Sequence, residues 1–322
     1  MDLIRICKDA VEKANKLEWC TFGTSVHIGK KFIAEEENNY KKGIFGCTSM
    51  RTSINHELKR TIEKISGKKA VCDGDITFEY DYDKDEITLR INPLFLLCKY
   101  RKLARGISQT RWEKYEHSVE GYIVDVVREM FMCEDAILHG AGREDVDVRM
   151  LGDGRICVVE VVKPIKRKVD YKMLEQRVKE LSKGTVEIKV LGGVGREYVW
   201  IIKEARFDKE YVAKVIFGRD INQEDCSKIE GITEIVQKTP KRVMHRRTDK
   251  ARMKRIIRIV CEGWNGRQAT FRITCEAGTY IKELITGDDG RTRPSFSEMV
   301  GCEAVCSELD VVCVKEYVSN WW

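Results

Sequence analysis

The sequence predicts an α+β protein built from two units. Three observations carry this: helical spacing beside an alternating hairpin in the first third, one strong amphipathic helix near residue 118 followed by a run of strands, and no fixed internal period. At 322 residues and 43% hydrophobic content the chain exceeds a usual single domain and can fill a sizeable core. Four prolines and no long serine-, glycine- or glutamine-rich tract imply that nearly all of it folds.

The first residues, MDLIRICKDAVEKANK, have amphipathic helical spacing, and a polar, glycine-punctuated stretch (VHIGKKFIAEEENNYKKGIFGCTS) follows. INHELKRTIEKISGKKA predicts a second helix stopping near Gly67. DITFEYDYDKDEITLRINP alternates apolar and charged residues around Asp-Tyr-Asp-Lys-Asp, the pattern of a hairpin with one solvated face. LFLLCKYRKLARGISQTRW passes from an apolar run into a basic stretch and reads as a connector, so the expected units are residues 1–112 and 113–322. Ser118 caps a helix whose Val119, Tyr122, Ile123, Val126, Val127 and Met130 share one face. RICVVEVVKP then predicts a buried strand. DYKMLEQRVKELSKG predicts a helix with Asp170 as its cap, Gly184 as its stop and Leu174, Val178 and Leu181 inward. VEIKVL, YVWII, RIIRIVCE, ATFRITC and SELDVVCV predict the remaining strands, a mixed sheet with few helices.

Charge and cysteine usage exclude several classes. With 58 Lys+Arg against 52 Asp+Glu the excess is only +6, so attraction for nucleic acid has to come from local clusters. Thirteen scattered cysteines without a secretory leader fit a reducing, intracellular setting, in nucleus, cytoplasm or both. No apolar run approaches the roughly 20 residues of a membrane span. No CxxC occurs, Cys302 and Cys306 lack partners at ligand spacing, and LGGVG at 191–195 is not a dinucleotide fingerprint.

The chemistry is concentrated in three stretches. His139–Gly154, HGAGREDVDVRMLGDG, places Gly140, Gly142, Gly152 and Gly154 among two arginines, three aspartates and a glutamate, between a core helix and a buried strand. Glycines let backbone approach a ligand closely, and a carboxylate beside an arginine stays ionised as nucleophile or base. Asp145 and Asp147 are equal candidates on spacing, and the loop reads equally as a polar turn. A nuclease reading through Glu160 and Lys163 fails, because an odd spacing in a strand turns them to opposite faces. Residues 237–258 hold ten lysines and arginines against one aspartate, a phosphate-tracking density. Lys99–Arg105 is a second basic stretch that could help clamp RNA. Finally, AGTYIKELITGDDGRTRPSFSEMVG places Tyr280, Ile281 and Lys282 at a strand-to-helix transition, where Lys282 could pair with a catalytic carboxylate or stand in water.

Together HGAGREDVDVRMLG, QKTPKRVMHRRTDKAR and AGTYIKELITGDDGRTRPS resemble the archaeal and eukaryotic tRNA pseudouridine synthases of the Pus ten type, over about residues 94–316. The resemblance implies a pseudouridine synthase catalytic fold, a mixed, mainly antiparallel sheet with a central cleft, preceded by a smaller THUMP-like RNA-binding domain. It implies isomerisation of uridine to pseudouridine in the T arm of tRNA, at position 55 and in many members also 54. It also implies no cofactor and a protein acting as a monomer. Residue by residue, it matches the catalytic aspartate, directly after Arg-Glu, with Asp145, supported by Asp147. The base-stacking tyrosine, usual in a Lys-x-Tyr-x-Ala-Leu context, is matched with Tyr198 in REYVWII. Ile281 and Lys282 match the paired apolar and basic residues, with Lys282 expected to pair with Asp145, and Leu309 matches the pocket leucine. Arg143, Lys241, Arg242, Arg246 and Arg247 are expected against substrate. Relatives often carry two zinc-binding cysteine pairs in the first domain, whereas here Cys7, Cys20, Cys47 and Cys72 are isolated. A catalytically idle tRNA-binding scaffold is the alternative function.

Overall fold

The computed structural model describes residues 3–29, 49–245 and 247–315. Cys47 and Arg246, named above, lie outside the described residues. Two sheets divide the chain. The smaller has the order β2 (Lys69–Ala70), β1 (Thr21–His27), β3 (Ile76–Asp81), β4 (Glu86–Ile91), with β1 parallel to β2 and β3 and the expected antiparallel β3–β4 hairpin at its edge. Helices Leu3–Ala14 and Met50–Ser66 pack on it, and the second stops at Gly67, whose left-handed backbone closes the helix end. Trp19, Phe22 and Phe78 meet edge to face above Leu58 and Ile62, a core of this unit's own.

The larger sheet joins β5 (Leu94–Lys102), β6 (Asp135–Gly140), β7 (Val148–Val162), β8 (Val186–Val194), β9 (Asp208–Phe217), β10 (Glu234–Lys238), β11 (Ala251–Asn265), β12 (Gln268–Cys275), β13 (Thr292–Arg293) and β14 (Ala304–Lys315). Their order is β13-β10-β11-β12-β9-β14-β7-β5-β8, with β6 on the second half of β7. The sheet is mainly antiparallel, but β14 runs parallel to the start of β7. Gly152 and Gly154 let β7 bend there. Both have positive φ, and a side-chain carbon on either would strike the carbonyl of Val312 or Tyr100.

Three expectations change here. Leu94–Lys102 is no connector but an inner strand between β7 and β8, so by sheet membership the chain divides at Asn92-Pro93 and not at residue 112. Both its faces are covered: Phe95 and Leu97 enter one apolar cluster, Leu96, Cys98 and Tyr100 the other. YVWII is part of a helix, Glu197–Glu204, not a strand; five apolar residues suit either, and only Ile202 is fully inward. In the helix Tyr171–Leu181, Leu174 and Val178 are buried but Leu181 lies half in solvent at the last turn. The helix Val119–Phe131 is as expected: Ser118 accepts from Gly121 N, and Val119, Ile123, Val126 and Val127 are buried.

Candidate active site

The loop 141–147 between β6 and β7 carries Asp145 and Asp147, and it is held from inside the protein. Lys102, fully buried on β5, donates to the carbonyls of Ile107 (2.8 Å), Asp145 (2.9 Å) and Val146 (3.3 Å). Glu144 is buried beside it, 4.0 Å from the ammonium. Its carboxylate accepts from Arg155 Nε at 2.9 Å and from the Tyr100 hydroxyl at 2.9 Å. Arg155 and Gln109 in turn donate to the carbonyls of Ala141 (2.8 Å) and Gly142 (2.9 Å). Every buried charge here has a partner, the condition for its being tolerated. Burial draws Lys102 down to about 8 against the pull of Glu144, and pushes the Tyr100 phenol well up.

From the solvent side two cations close on the loop. Arg242 follows β10 in a short 3-10 turn (Lys241–Val243) and spans two carboxylates: Nη1 donates to Asp145 Oδ1 at 2.9 Å and Nε to buried Glu283 at 2.6 Å. Burial would weaken its charge, but Glu283 and Asp145 outweigh it and hold Arg242 above its usual value. Lys282 lies 3.5 Å from Asp145 Oδ2, the expected ion pair, but both its 2.7 Å hydrogen bonds go to Asp147. Burial opposes ionisation of Asp147, and the Lys282 hydrogen bond and charge more than offset it, so its pKa falls below the usual aspartate value. The helix Ile281–Thr286 that brings Lys282 is set by buried Gln237, whose amide accepts from Tyr280 N (2.8 Å) and donates to Tyr280 O (3.0 Å). Arg105 ties the loop to β14, donating to the carbonyls of Asp147 (3.0 Å) and Leu309 (2.7 Å).

The structure therefore brings Asp145, Asp147, Lys282 and Arg242 together, beside buried Ile281 and Leu309. Arg143 is exposed on the same loop. Lys241 pairs with Asp289, and Arg247 donates to the Tyr280 hydroxyl at 3.1 Å. Tyr198 is not at this centre. It packs with Phe95, Leu97, Ile156 and Ile202, on the opposite face of β5 from Tyr100. A tyrosine close enough to feel the charge of Asp145 is Tyr211 on β9, packed against the cluster holding Leu309 and Ile281. Burial raises its phenol most, Cys275 adds to this, and the charges of Arg155, Glu144 and Asp145 all reach it. Its surroundings, Lys209-Glu210-Tyr211-Val212-Ala213, spell the Lys-x-Tyr-x-Ala context that Tyr198 lacks, a signal present in the sequence. Glu160 and Lys163 go separate ways, to His139 and to Glu134. Among the described residues no three His, Cys, Asp or Glu side chains gather as metal ligands, and no helix is long and apolar enough to cross a membrane.

The basic stretch 99–105 also changes meaning. Alternation along β5 turns Lys102 inward, Arg101 pairs with Glu187, and Arg105 binds carbonyls, so these three charges have partners within the protein. In the tract 237–258, Lys238 on β10, Lys250 before β11, and Arg252, Arg255 and Arg258 on the first half of β11 stand in solvent.

A carboxylate paired with two cations, in a loop pinned by buried charges and flanked by a basic hairpin, has the make-up of an enzyme site for a polyanionic substrate. Comparison with known proteins makes this particular. A family model described as "Pus10, C-terminal" matches residues 95–315. The tRNA pseudouridine synthase Pus10 of Archaeoglobus fulgidus is 38% identical over 95% of this chain and 90% of its own length. Those of Thermofilum pendens (35% identical, 95% and 72%) and Picrophilus torridus (40%, 94% and 80%) are similar. The chain belongs to the Pus10 family of tRNA pseudouridine synthases, which are isomerases.

Proposed function

We propose that this protein converts uridine to pseudouridine in the T arm of tRNA, at position 55 or at 54 and 55, with Asp145 as the nucleophilic carboxylate and no cofactor. The observation that carries the assignment is the double grip on Asp145: its carboxylate between Arg242 and Lys282, its carbonyl on buried Lys102. Uracil has to be cut from the ribose, turned while held, and rejoined through C5, so the nucleotide leaves its stack and enters a closed pocket. Asp145 starts glycosidic cleavage, by attack or by taking a proton from the sugar. Tyr211, in place of Tyr198, stacks on the uracil; its raised pKa suits a neutral phenol, not a resting phenolate base. Ile281 and Leu309 wall the base, while Lys282 and Arg242 orient the carboxylate. The hairpin tract, with Lys241 and Arg247, holds tRNA phosphates, and Arg143 reaches the substrate from the loop.

The test is incubation of purified protein with unmodified tRNA transcript in the presence of chelator, followed by mapping of pseudouridine. The wild type forms it in the T arm and Asp145→Ala does not, while retaining a folded circular-dichroism spectrum. Equal yield from Asp145→Ala, or none from the wild type, refutes the assignment; tRNA binding without product is the signature of an idle scaffold.

A further inference from the structure

The two units are joined by a backbone connection of two residues, Asn92-Pro93, between β4 and β5. Their apolar cores are separate clusters, so a shared hydrophobic interface does not lock them. Relative motion is the default for such a pair. What meets across the junction is polar and centred on the segment 165–168 after β7. Arg167, 11% exposed, places Nε 2.9 Å from Asp75 of the small unit and donates through Nη1 to the carbonyls of Asn92 (2.9 Å) and Asp75 (3.2 Å), and through Nη2 to that of Pro93 (3.5 Å). One guanidinium thus grips the small sheet and both connecting residues, using the planar fork that lysine lacks.

The same segment is tied a second time. Glu18 N donates to the Ile165 carbonyl at 2.8 Å, and Glu18 Oε2 accepts from the amides of Arg167 (2.5 Å) and Lys168 (2.9 Å). Asp75 is itself fixed, taking the amides of Cys20 (2.7 Å) and Thr21 (3.0 Å) on its other oxygen. The far end of the clamp is therefore rigid. Asn92 is anchored as well, its side-chain amide donating to Gly74 O (2.7 Å) and Thr77 Oγ1 (2.9 Å). Charge-assisted bonds to a half-buried arginine are among the stronger polar contacts, and several act here on a single joint.

We infer that Arg167 is a positioning residue for the reaction and that the small unit also touches the RNA: Arg167 holds that unit at one distance and angle from Asp145, so that an RNA spanning both is presented with one nucleotide at the carboxylate. This rests on the functional reading above and adds to it what selects the target. A clamped pair captures the second contact at a high effective concentration, whereas a swinging pair loses that gain and samples other registers.

The experiment compares wild type, Arg167→Ala and Arg167→Lys as full-length chains. A fluorescent donor and acceptor, one on each unit, report the spread of inter-unit distances. Kinetics are measured on a full tRNA transcript and on an isolated T-arm hairpin, and modified positions are mapped. With alanine the distance distribution broadens, KM on the full transcript rises about tenfold while kcat on the hairpin stays put, and pseudouridine spreads to neighbouring uridines. Lysine restores part of each. A distribution that stays narrow in Arg167→Ala overturns the inference, as does a broadened one with KM and target position unchanged. If the wild type makes no pseudouridine, the functional reading has failed separately, and the clamp is judged by the distance distribution and by tRNA affinity, neither of which may be indifferent to alanine.

Discussion

Lys102→Met isolates the buried ammonium behind Asp145. Methionine preserves the length of the side chain and removes the charge; the Ile107 carbonyl loses its donor, at about 1–3 kcal/mol for a buried polar group left unpaired, while those of Asp145 and Val146 keep the amides of Val148 (3.1 Å) and Gly106 (3.0 Å). The sharper quantity is the pH dependence. In the folded protein burial lowers Lys102 from its ordinary 10.5 to about 8. Between those values the unfolded chain still binds the proton and the folded chain has released it, so wild-type stability gains about 1.4 kcal/mol per pH unit from this group. Below pH 8 both states are protonated, and above 10.5 neither is. Across the window the gain amounts to about 3 kcal/mol, an order of magnitude appropriate to a side chain with no exposed surface. Lys209, also drawn down to about 8 by burial, titrates in both proteins and drops out of the comparison. Urea unfolding of wild type and Lys102→Met at pH 7, 8, 9 and 10 gives the difference directly. It should widen in favour of wild type above pH 8; a difference that is flat, or narrows, refutes the claim that burial beneath the loop lowers the proton affinity of Lys102.

Two further outcomes follow from the site. Tyr211→Leu should lower kcat on tRNA by about a hundredfold or more, whereas Tyr198→Leu, on the other face of the sheet, should stay within about threefold after correction for folded fraction; the reverse order in single-turnover assays would return the stacking role to Tyr198. Arg255→Ala, exposed on the hairpin strand β11, should weaken tRNA binding without changing kcat and reduce the slope of log affinity against log salt by about 1. Filter-binding titrations at several salt concentrations would expose an unchanged slope, which would remove that strand from the RNA surface.

What could be read from the sequence was whatever local spacing decides. The capped helix 119–131, the hairpin 76–91 and the glycine-flanked aspartates follow from periodicity and turn chemistry within a few residues of each other. Lys282 was legible as a lysine at a strand-to-helix transition. The bond of Arg242 to Asp145 was not legible, because it spans 97 residues of sequence. Gln237 and Glu283 were missed for the same reason: each acts through a partner more than 40 residues away. Lys102 looked like one more positive charge in a basic run, since sequence spacing does not say that both sides of β5 are covered. Tyr211 is legible by its flanking Lys209 and Ala213.

The position of β14 has a consequence for how the protein comes into being. It is the last described strand in the sequence, yet it lies between β7 and β9 in the middle of the sheet, and it carries Leu309 and the Asp310 that Arg149 grips across 161 residues. Until residues 304–315 have emerged, a growing chain can form both flanking strands but leaves each with an open edge, the kind of surface that invites misassembly during synthesis. The pocket wall and the second anchor of the catalytic loop arrive together, late, and by a pairing of high contact order. Completion of the Asp145 loop's support is therefore tied to synthesis of nearly the whole described chain: a product truncated before Ala304 would retain Asp145 and the basic hairpin, but not the strand to which Arg105 ties the loop.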